Sequence, residues 1–392
     1  MERGTPAVLS VFDVEPRFIG GTETYARELS LQLGRHGWHS VLCFVTPPSE
    51  DVRRFLELPN VSLEVVADLQ GPKPGVMWGL ARILRRYRPE LVHFHYTGFL
   101  SPYPWVARIL SADRVFFTDH ASRPANYRSR RASLLKRCLG RAMSWPVSTV
   151  ICVSGYGYRC FTERGLFPAG RCAMIYNGVD LDRVVESTER AGSFRRRFSI
   201  PGDRKIVLQI SWIIPEKGIL DLLAAARVVA SRNPEAHFVI VGEGPFREEY
   251  TRRASELGLR EHVTFTGLLE DPFSDGAYDA ADVVCQVSRW EEVFGWVIAE
   301  AMAYRRPVIA TRVGGIPEVV AHDESGWLIE RGDVEGLAQN VLLLLEDPAR
   351  RQAMGMAGRK RVEAKFSLRK NVAQLVETYG IGKRTGTEVV RK

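Results

Sequence analysis

Between Val283 and Ala303 the sequence changes its period midway, and that change constrains the fold more than any other feature of the chain. Val283-Val284-Cys285-Gln286-Val287 is an apolar run of the length a buried strand uses. From Trp296 onward the apolar residues Val297, Ile298, Ala301 and Met302 follow a helical period instead. An acidic loop, Ser288-Arg289-Trp290-Glu291-Glu292-Val293-Phe294-Gly295, joins the two. Strand, loop and helix in that order predict one step of a parallel sheet covered by helices, with the loop at the carboxyl end of the strand, where such sheets bind ligands. Glu292 lies in the loop, and Glu300 follows eight residues later, about two turns into the helix. A helix start near Gly295 offers free N–H groups to a phosphate, and a carboxylate further along suits sugar hydroxyls. A surface glutamate paired with a neighbouring arginine is the competing account of Glu300, and on position alone it is the stronger one.

The same alternation runs through the rest of the chain. Residues 8–12, 40–45, 61–66, 91–95, 115–118 and 149–153 read as strands, with helices over 22–35, over 76–87 and after Pro104. Gly34 and Gly37 close the first helix, Arg88-Pro89 ends the second, and Ser154 has the chemistry of a helix cap. Residues 186–203 are charged and poor in strand formers, which predicts a domain boundary there. A second series of strands follows over 206–210, 236–241, 262–265, 283–287 and 308–310, with helices after Asp333, Asp347 and Ser367. A chain of 392 residues exceeds one ordinary core, so two domains are expected, over 1–185 and 186–366. Residues 367–379 form a final helix and 380–392 a frayed basic tail.

Hydrophobic residues at 45% and charged residues at 26% are those of a soluble globular protein. No apolar run approaches the roughly 18 residues that span a bilayer. The opening Met1-Glu2-Arg3-Gly4-Thr5-Pro6 leads into only a short apolar segment, so no signal peptide and a cytosolic location are expected. Six cysteines, without a C-x-x-C, read as free thiols. The net charge of +8 sits wholly in the first 185 residues, where 24 Lys and Arg face 16 Asp and Glu; the remainder is balanced at 30 each. No acidic residue occurs from His120 to Thr162, a stretch holding Arg123, Arg128, Arg130, Arg131, Lys136, Arg137 and Arg141. That block suits an anionic partner, either the inner face of the plasma membrane or an acceptor carrying phosphate; a solvated helix face is the alternative. No nucleic-acid-binding module accompanies it, so no nucleic-acid partner is expected.

Glu292 and Glu300 stand in the pattern E-x-F-G-x-x-x-x-E-A-M-A, followed by Pro307-Val308-Ile309-Ala310-Thr311 and Val313-Gly314-Gly315-Ile316-Pro317-Glu318. This combination resembles the C-terminal signature of the retaining glycosyltransferases of family 4. The resemblance implies an α/β GT-B fold, in which two Rossmann-like doubly wound domains face each other across a cleft and the last helix, 367–379, crosses back to the first domain. It also implies transfer of a sugar from a nucleotide diphosphate sugar to a hydroxyl of a glycan, lipid-linked or other amphiphilic acceptor. A UDP-sugar is favoured as donor because it is common in the family, with a GDP-sugar as the alternative. Neither a metal nor another cofactor is expected, the nucleotide sugar being a substrate.

The resemblance assigns His120, Glu292 and Lys217 to catalysis. His120 and Glu292 would orient the donor sugar, and Lys217 would neutralise its diphosphate. Gly20-Gly21-Thr22, which opens the first helix, matches a Gly-Gly that faces the donor phosphates in the family. Ser211, Gly242, Gly244 and Leu268 stand at strand ends that line the nucleotide pocket there, the backbone of Val293, Phe294 and Gly295 contacts the donor, and Glu300 holds the ribose. One position departs from the pattern: Trp212 stands where the family has an arginine on the diphosphate, and Arg17 is a candidate substitute. His93 and His95 form an H-x-H without a credible third metal ligand, and Asp180-Leu181-Asp182 imitates a metal-binding D-x-D by accident. Tyr96, Phe99, Tyr103, Pro104 and Trp105 suggest an apolar loop for an amphiphilic acceptor, or simply side chains packed beneath it. Two other readings stay open, a nucleotide-sugar epimerase and a nucleotide-sugar-binding subunit without turnover.

Overall fold

The computed structural model describes residues 4–69 and 73–382, and the chain divides into two units. The first holds the residues up to His120, Arg128–Tyr176 and those from Leu368 onward. The second holds Ala121–Tyr127 and Asn177–Ser367.

In the first unit seven strands, β1 (Ala7–Phe12), β2 (His39–Phe44), β3 (Val61–Val65), β4 (Leu91–His95), β5 (Arg114–Asp119), β6 (Thr149–Cys152) and β7 (Cys172–Met174), form one parallel sheet in the order β3-β2-β1-β4-β5-β6-β7. The central strands are continuous apolar runs because both faces are covered. Leu9, Val11, Val92 and Phe94 enter one buried cluster, and Val8, Leu91 and Phe116 the opposite one, as a period of two requires. The last helix, Leu368–Thr378, belongs here. Its residues Leu368, Val372, Leu375 and Val376, with Tyr379 beyond its end, pack with Leu29 and Leu33 of the Gly21–Arg35 helix. Gln32 Nε2 donates to the Arg369 carbonyl at 2.8 Å and Asn371 Nδ2 to that of Tyr176 at 3.0 Å, which fixes the first turn of the helix. Ile381, inside the expected tail, is buried in the same cluster, while 383–392 lie outside the described residues.

The second unit carries six parallel strands, β8 (Lys205–Ile210), β9 (Ala236–Val241), β10 (Val263–Gly267), β11 (Val283–Gln286), β12 (Val308–Thr311) and β13 (Gly326–Ile329), in the order β10-β9-β8-β11-β12-β13. The expected boundary over 186–203 is corrected. Thr188–Arg197 is a helix capped by Ser187, with Phe194 buried and Arg190 paired with Asp279 at 2.9 Å. The division falls instead between Tyr176 and Asn177, since the Val179 N–H donates to the Phe366 carbonyl at 2.8 Å inside the second unit. Residues 121–127 also belong to this unit: Arg123 and Glu291 exchange backbone hydrogen bonds of 3.0 and 2.9 Å.

Each sheet reverses its strand order once, between β1 and β4 in the first and between β8 and β11 in the second. Ligands of doubly wound sheets bind beyond the carboxyl ends of the strands at such switch points.

Leu375→Ala, which empties a buried position under the last helix, should lower the stability of the first unit by about 2–5 kcal/mol and leave the second unit's transition in place. Calorimetry of the full chain resolves the two; a change well under about 1 kcal/mol would show that this helix does not complete the first core.

Candidate active site

β8 and β11 pair, so their carboxyl ends are neighbours. From β8 the chain passes Ser211 and the exposed Trp212 into a 3-10 turn, Pro215–Lys217. Gly218 ends that turn at φ +68°, and a β-carbon there would stand 1.9 Å from the Val287 carbonyl oxygen, so only glycine lets the turn lie on the loop after β11. This approach brings Lys217 Nζ within 2.6 Å of Glu292 Oε1. Ser288 Oγ donates to the same oxygen at 2.7 Å and Ser122 Oγ to Oε2 at 3.1 Å. Glu292 is 6% exposed. Burial is the largest influence on its carboxyl and pushes its pKa up, but the Lys217 charge and the bonds from Lys217, Ser288 and Ser122 together hold it below the ordinary value. The site therefore contains an ionised carboxylate pressed against an ammonium.

Glu291 supports this loop. Its carboxylate accepts from Arg331 Nη2 at 2.7 Å, from the Gly314 N–H at 2.7 Å and from the Asn126 N–H at 3.1 Å. The side chains of Val293 and Phe294 are core, Phe294 packing edge-on against Phe366 at 5.5 Å, so these residues offer a ligand their backbone. Gly295, at φ +101°, precedes the Trp296–Ala303 helix. In that helix Glu300 Oε2 accepts from Tyr278 Oη at 2.5 Å; burial raises its pKa and the tyrosine bond opposes the shift. Glu292 and Glu300 thus have separate sets of partners.

Gly242 and Gly244 serve a close approach of backbones. Their β-carbons would stand 2.0 Å from the Ser211 carbonyl oxygen and 2.3 Å from that of Ile213, and the Ile213 N–H donates to the Glu243 carbonyl at 2.8 Å. The turns after β8 and β9 are in this way laid together, with Leu268 exposed beyond β10.

In the first unit Gly20 caps the Gly21–Arg35 helix, and its N–H donates to Glu23 Oε2 at 3.1 Å. Glu23 is buried, and desolvation pushes its carboxyl up to about 7 against the lowering effect of its backbone hydrogen bonds. His120 follows β5. Its Nε2 lies 3.2 Å from His95 Nδ1, Tyr96 stacks on its ring at 4.3 Å, and burial lowers its pKa to about 3, so the imidazole is neutral at neutral pH. His93 is committed to Tyr379 Oη at 2.5 Å and Thr118 Oγ1 at 2.7 Å. Arg17 is exposed and paired with Glu15. The Asp182 N–H donates to Asp180 Oδ1 at 3.1 Å, a local turn. Among the described residues no group of three His, Cys, Asp or Glu could hold a metal ion.

Ser122, Ser288, Tyr278 and Glu23 are site residues that the sequence reading misses. Glu23 had a signal, standing three residues after Gly20 at capping-box spacing. Ser122 had none, because its partner lies 170 residues away.

The pattern of the family described as Glycosyltransferase Family 4 matches residues 19–183, and that of Glycosyl transferases group 1 matches residues 192–361. A GDP-mannose-dependent alpha-(1-6)-phosphatidylinositol monomannoside mannosyltransferase of Mycolicibacterium smegmatis is 30% identical over 312 residues, covering 78% of this chain and 80% of that protein. An alpha-D-kanosaminyltransferase of Streptomyces kanamyceticus is 28% identical over 340 residues, covering 81% of this chain and 86% of its own. Among solved structures, a glycosyltransferase of Rickettsia africae superposes with a TM-score of 0.78 at 20% identity, over 97% of this chain and all of that one.

The raised carboxyl of Glu23 has a definite sign in a stability measurement. A folded-state pKa of about 7 against 4.5 favours the protonated form, so its contribution is intact below pH 4.5 and is lost as pH rises through 7. Glu23→Gln keeps an acceptor for the Gly20 N–H and removes the titration. It should match the parent at pH 4.5 and exceed it at pH 8 by roughly 2–3 kcal/mol in the first unit. Denaturant melts at the two pH values check this; a variant less stable at pH 8 would mean that Glu23 is stabilising as a carboxylate.

Proposed function

Because the chain belongs to glycosyltransferase family 4 and has the GT-B fold, we propose that it transfers a hexosyl group from a nucleotide diphosphate sugar to an acceptor hydroxyl, with retention of anomeric configuration and without a metal ion. The partly buried Lys217–Glu292 pair at the joined ends of β8 and β11 carries this reading. A diphosphate arriving there competes with Glu292 for Lys217, and the freed carboxylate then serves the hydroxyls of the donor sugar. Lys217 and the N–H groups at the start of the Trp296–Ala303 helix supply the positive potential that the departing diphosphate needs. Glu300 holds the ribose: Tyr278 engages Oε2, and Oε1 accepts from the sugar hydroxyls.

Reaction on one face of the donor sugar fits these groups. The bond from the anomeric carbon to the β-phosphate oxygen opens, the acceptor oxygen closes on the same face, and the acceptor proton passes to the departing phosphate oxygen. His120, kept neutral by burial, orients a hydroxyl and takes up no proton. The relative that acts from GDP-mannose makes that donor the one to set against UDP-sugars.

The first unit supports a reading of the acceptor class. The Leu134–Met143 helix has no acidic residue, carries Lys136, Arg137 and Arg141, and turns Leu134, Leu135 and Leu139 to solvent at 72%, 71% and 56% exposure. Trp145, 61% exposed and stacked on Trp105, continues the patch. Exposed leucines flanked by cations fit the headgroup region of an anionic bilayer, so a lipid-linked acceptor presented there is the reading adopted. No helix among the described residues is long and apolar enough to cross a membrane.

Titration calorimetry with GDP, UDP and ADP tests the donor site. One nucleotide should bind with a Kd between about 1 μM and 1 mM, and Lys217→Ala or Glu300→Ala should weaken it at least about tenfold. Loss of all nucleotide binding in the parent chain overturns the donor assignment, and a product of inverted anomeric configuration by proton NMR overturns retention.

Vesicle co-sedimentation tests the surface. The full chain should pellet with vesicles containing about one third anionic lipid and far less with zwitterionic ones. Replacing Leu134, Leu135 and Leu139 together by Gln should abolish pelleting at unchanged thermal stability; equal pelleting of variant and parent would reassign those leucines.

A further inference from the structure

Tyr96 was read from the sequence as one of several loop aromatics, and the first unit gives it a more particular place. It is the first residue after β4, at the switch point of the sheet, and its backbone is in the left-handed region at φ +63°. A bulky residue rarely adopts that conformation, and surrounding contacts must hold it there. Two of them are visible. The phenol oxygen lies 2.9 Å from Thr22 Oγ1, in the turn that contains Gly20 and Gly21. The ring lies flat on the His120 imidazole, with centroids 4.3 Å apart and an interplanar angle of 15°.

His120 is held from another side by His95, the last residue of β4. His95 Nδ1 contacts His120 Nε2 at 3.2 Å, so one of these nitrogens carries the proton and the other accepts. His95 is itself fixed, stacked on Phe12 at 4.5 Å and tilted against His93 at 4.0 Å. Nε2 of His120 is therefore engaged, and whatever else the ring bonds, it bonds through Nδ1. The plane in which Nδ1 points is set by the Tyr96 ring.

We propose that Tyr96 is a positioning residue, which joins the Gly20-Gly21-Thr22 turn to His120 and aims the imidazole at the sugar being transferred. The inference rests on the assignment of His120 to the reacting sugar. The side chains assigned above to the nucleotide, Lys217 and Glu300, lie in the second unit, and the Gly20 backbone is held by its own helix, through its N–H to Glu23 at 3.1 Å and its carbonyl to the Thr24 N–H at 3.0 Å, so a change at Tyr96 acts on turnover and spares nucleotide binding.

Three variants separate the contacts: Tyr96→Phe keeps the ring and loses the Thr22 bond, Thr22→Val loses the same bond from the other end, and Tyr96→Leu loses the stack. Tyr96→Phe and Thr22→Val should lower kcat by a similar factor of about 3–10, and Tyr96→Leu by about a hundredfold, with the Kd for the nucleotide unchanged. His120→Ala supplies the control. If Tyr96 acts through His120, the double variant His120→Ala/Tyr96→Leu is no slower than His120→Ala alone, whereas multiplying losses would overturn the proposal. Should Tyr96→Leu fail to fold, the agreement of Tyr96→Phe with Thr22→Val decides. A readout free of substrate keeps this test distinct from that of the transferase reading. In the ligand-free full chain with 15N-labelled histidine, His120 should show a single neutral tautomer between pH 6 and 8. Tyr96→Leu should mix the tautomers; an unchanged His120 spectrum in that variant would mean that His95 alone sets the ring.

Discussion

Lys217 and Glu292 form an ion pair largely withdrawn from water, with side chains 18% and 9% exposed, and the second unit is arranged around making that pair tolerable. Removing two such charges from solvent carries a penalty of several kcal/mol per ion, which their attraction offsets only when the geometry is good and the remaining lone pairs are used. Each requirement has a visible source. Gly218 permits the approach, Ser288 and Ser122 bond the carboxylate, and Glu291 fixes the loop through Arg331, Gly314 and Asn126. A pair of well-packed apolar side chains would serve stability as well or better. The investment of so many groups in one pair points to use of the charges themselves.

The two units solve the same problem with different chemistry. Both place polar residues at the carboxyl ends of strands on either side of a reversal in strand order, where the backbone diverges and leaves room. In the second unit that space is governed by full charges. In the first it holds rings and hydroxyls: His95, His120, Tyr96 and Thr22, with the histidines kept neutral by burial. A neutral array suits a hydroxyl of the transferred sugar, which needs direction more than neutralisation, while a diphosphate needs a cation.

Much of the fold was legible because parallel strands buried on both faces are dense apolar runs, and the period change around Gly295 marks a strand-to-helix step. The strands that escaped, β7 and β13, are the outer members of their sheets, with only three and four residues. The charged stretch 186–203 looks like a domain boundary because its helix buries little; Phe194 is that helix's one buried residue, while Arg190 and Arg197 pair with Asp279 and Asp275 and Arg195 donates to the Pro201 and Arg204 carbonyls. Local pattern and resemblance point to Lys217, Glu292 and Glu300, and the structure brings the first two together while Glu300 pairs with Tyr278. Ser122 was not readable, since no spacing rule connects residues so far apart in sequence. Gly242 and Gly244 were readable as tight turns, but their close contacts prove to be with backbone. The Leu134–Met143 helix shows the same limit in reverse: the sequence marks the stretch only as basic, and the fold reveals that Leu134, Leu135 and Leu139 are uncovered.

Trp212, where the family carries an arginine, fits this division of labour. Its side chain is 64% exposed, and the nearby cation Arg289 is bound to Asp221 by two bonds of 2.9 and 2.6 Å. In the proposed donor site Lys217 then bears a larger share of the diphosphate charge than it would beside an arginine. Its partner Glu292 is ionised, so a diphosphate must first draw the ammonium away from a carboxylate. That competition weakens the bound ground state, but it is relieved as the glycosidic bond opens and charge on the phosphate oxygen grows. A lone lysine shared with a glutamate favours the departing diphosphate over the intact donor, and in that arrangement the loss of the arginine is a loss of binding more than of catalysis.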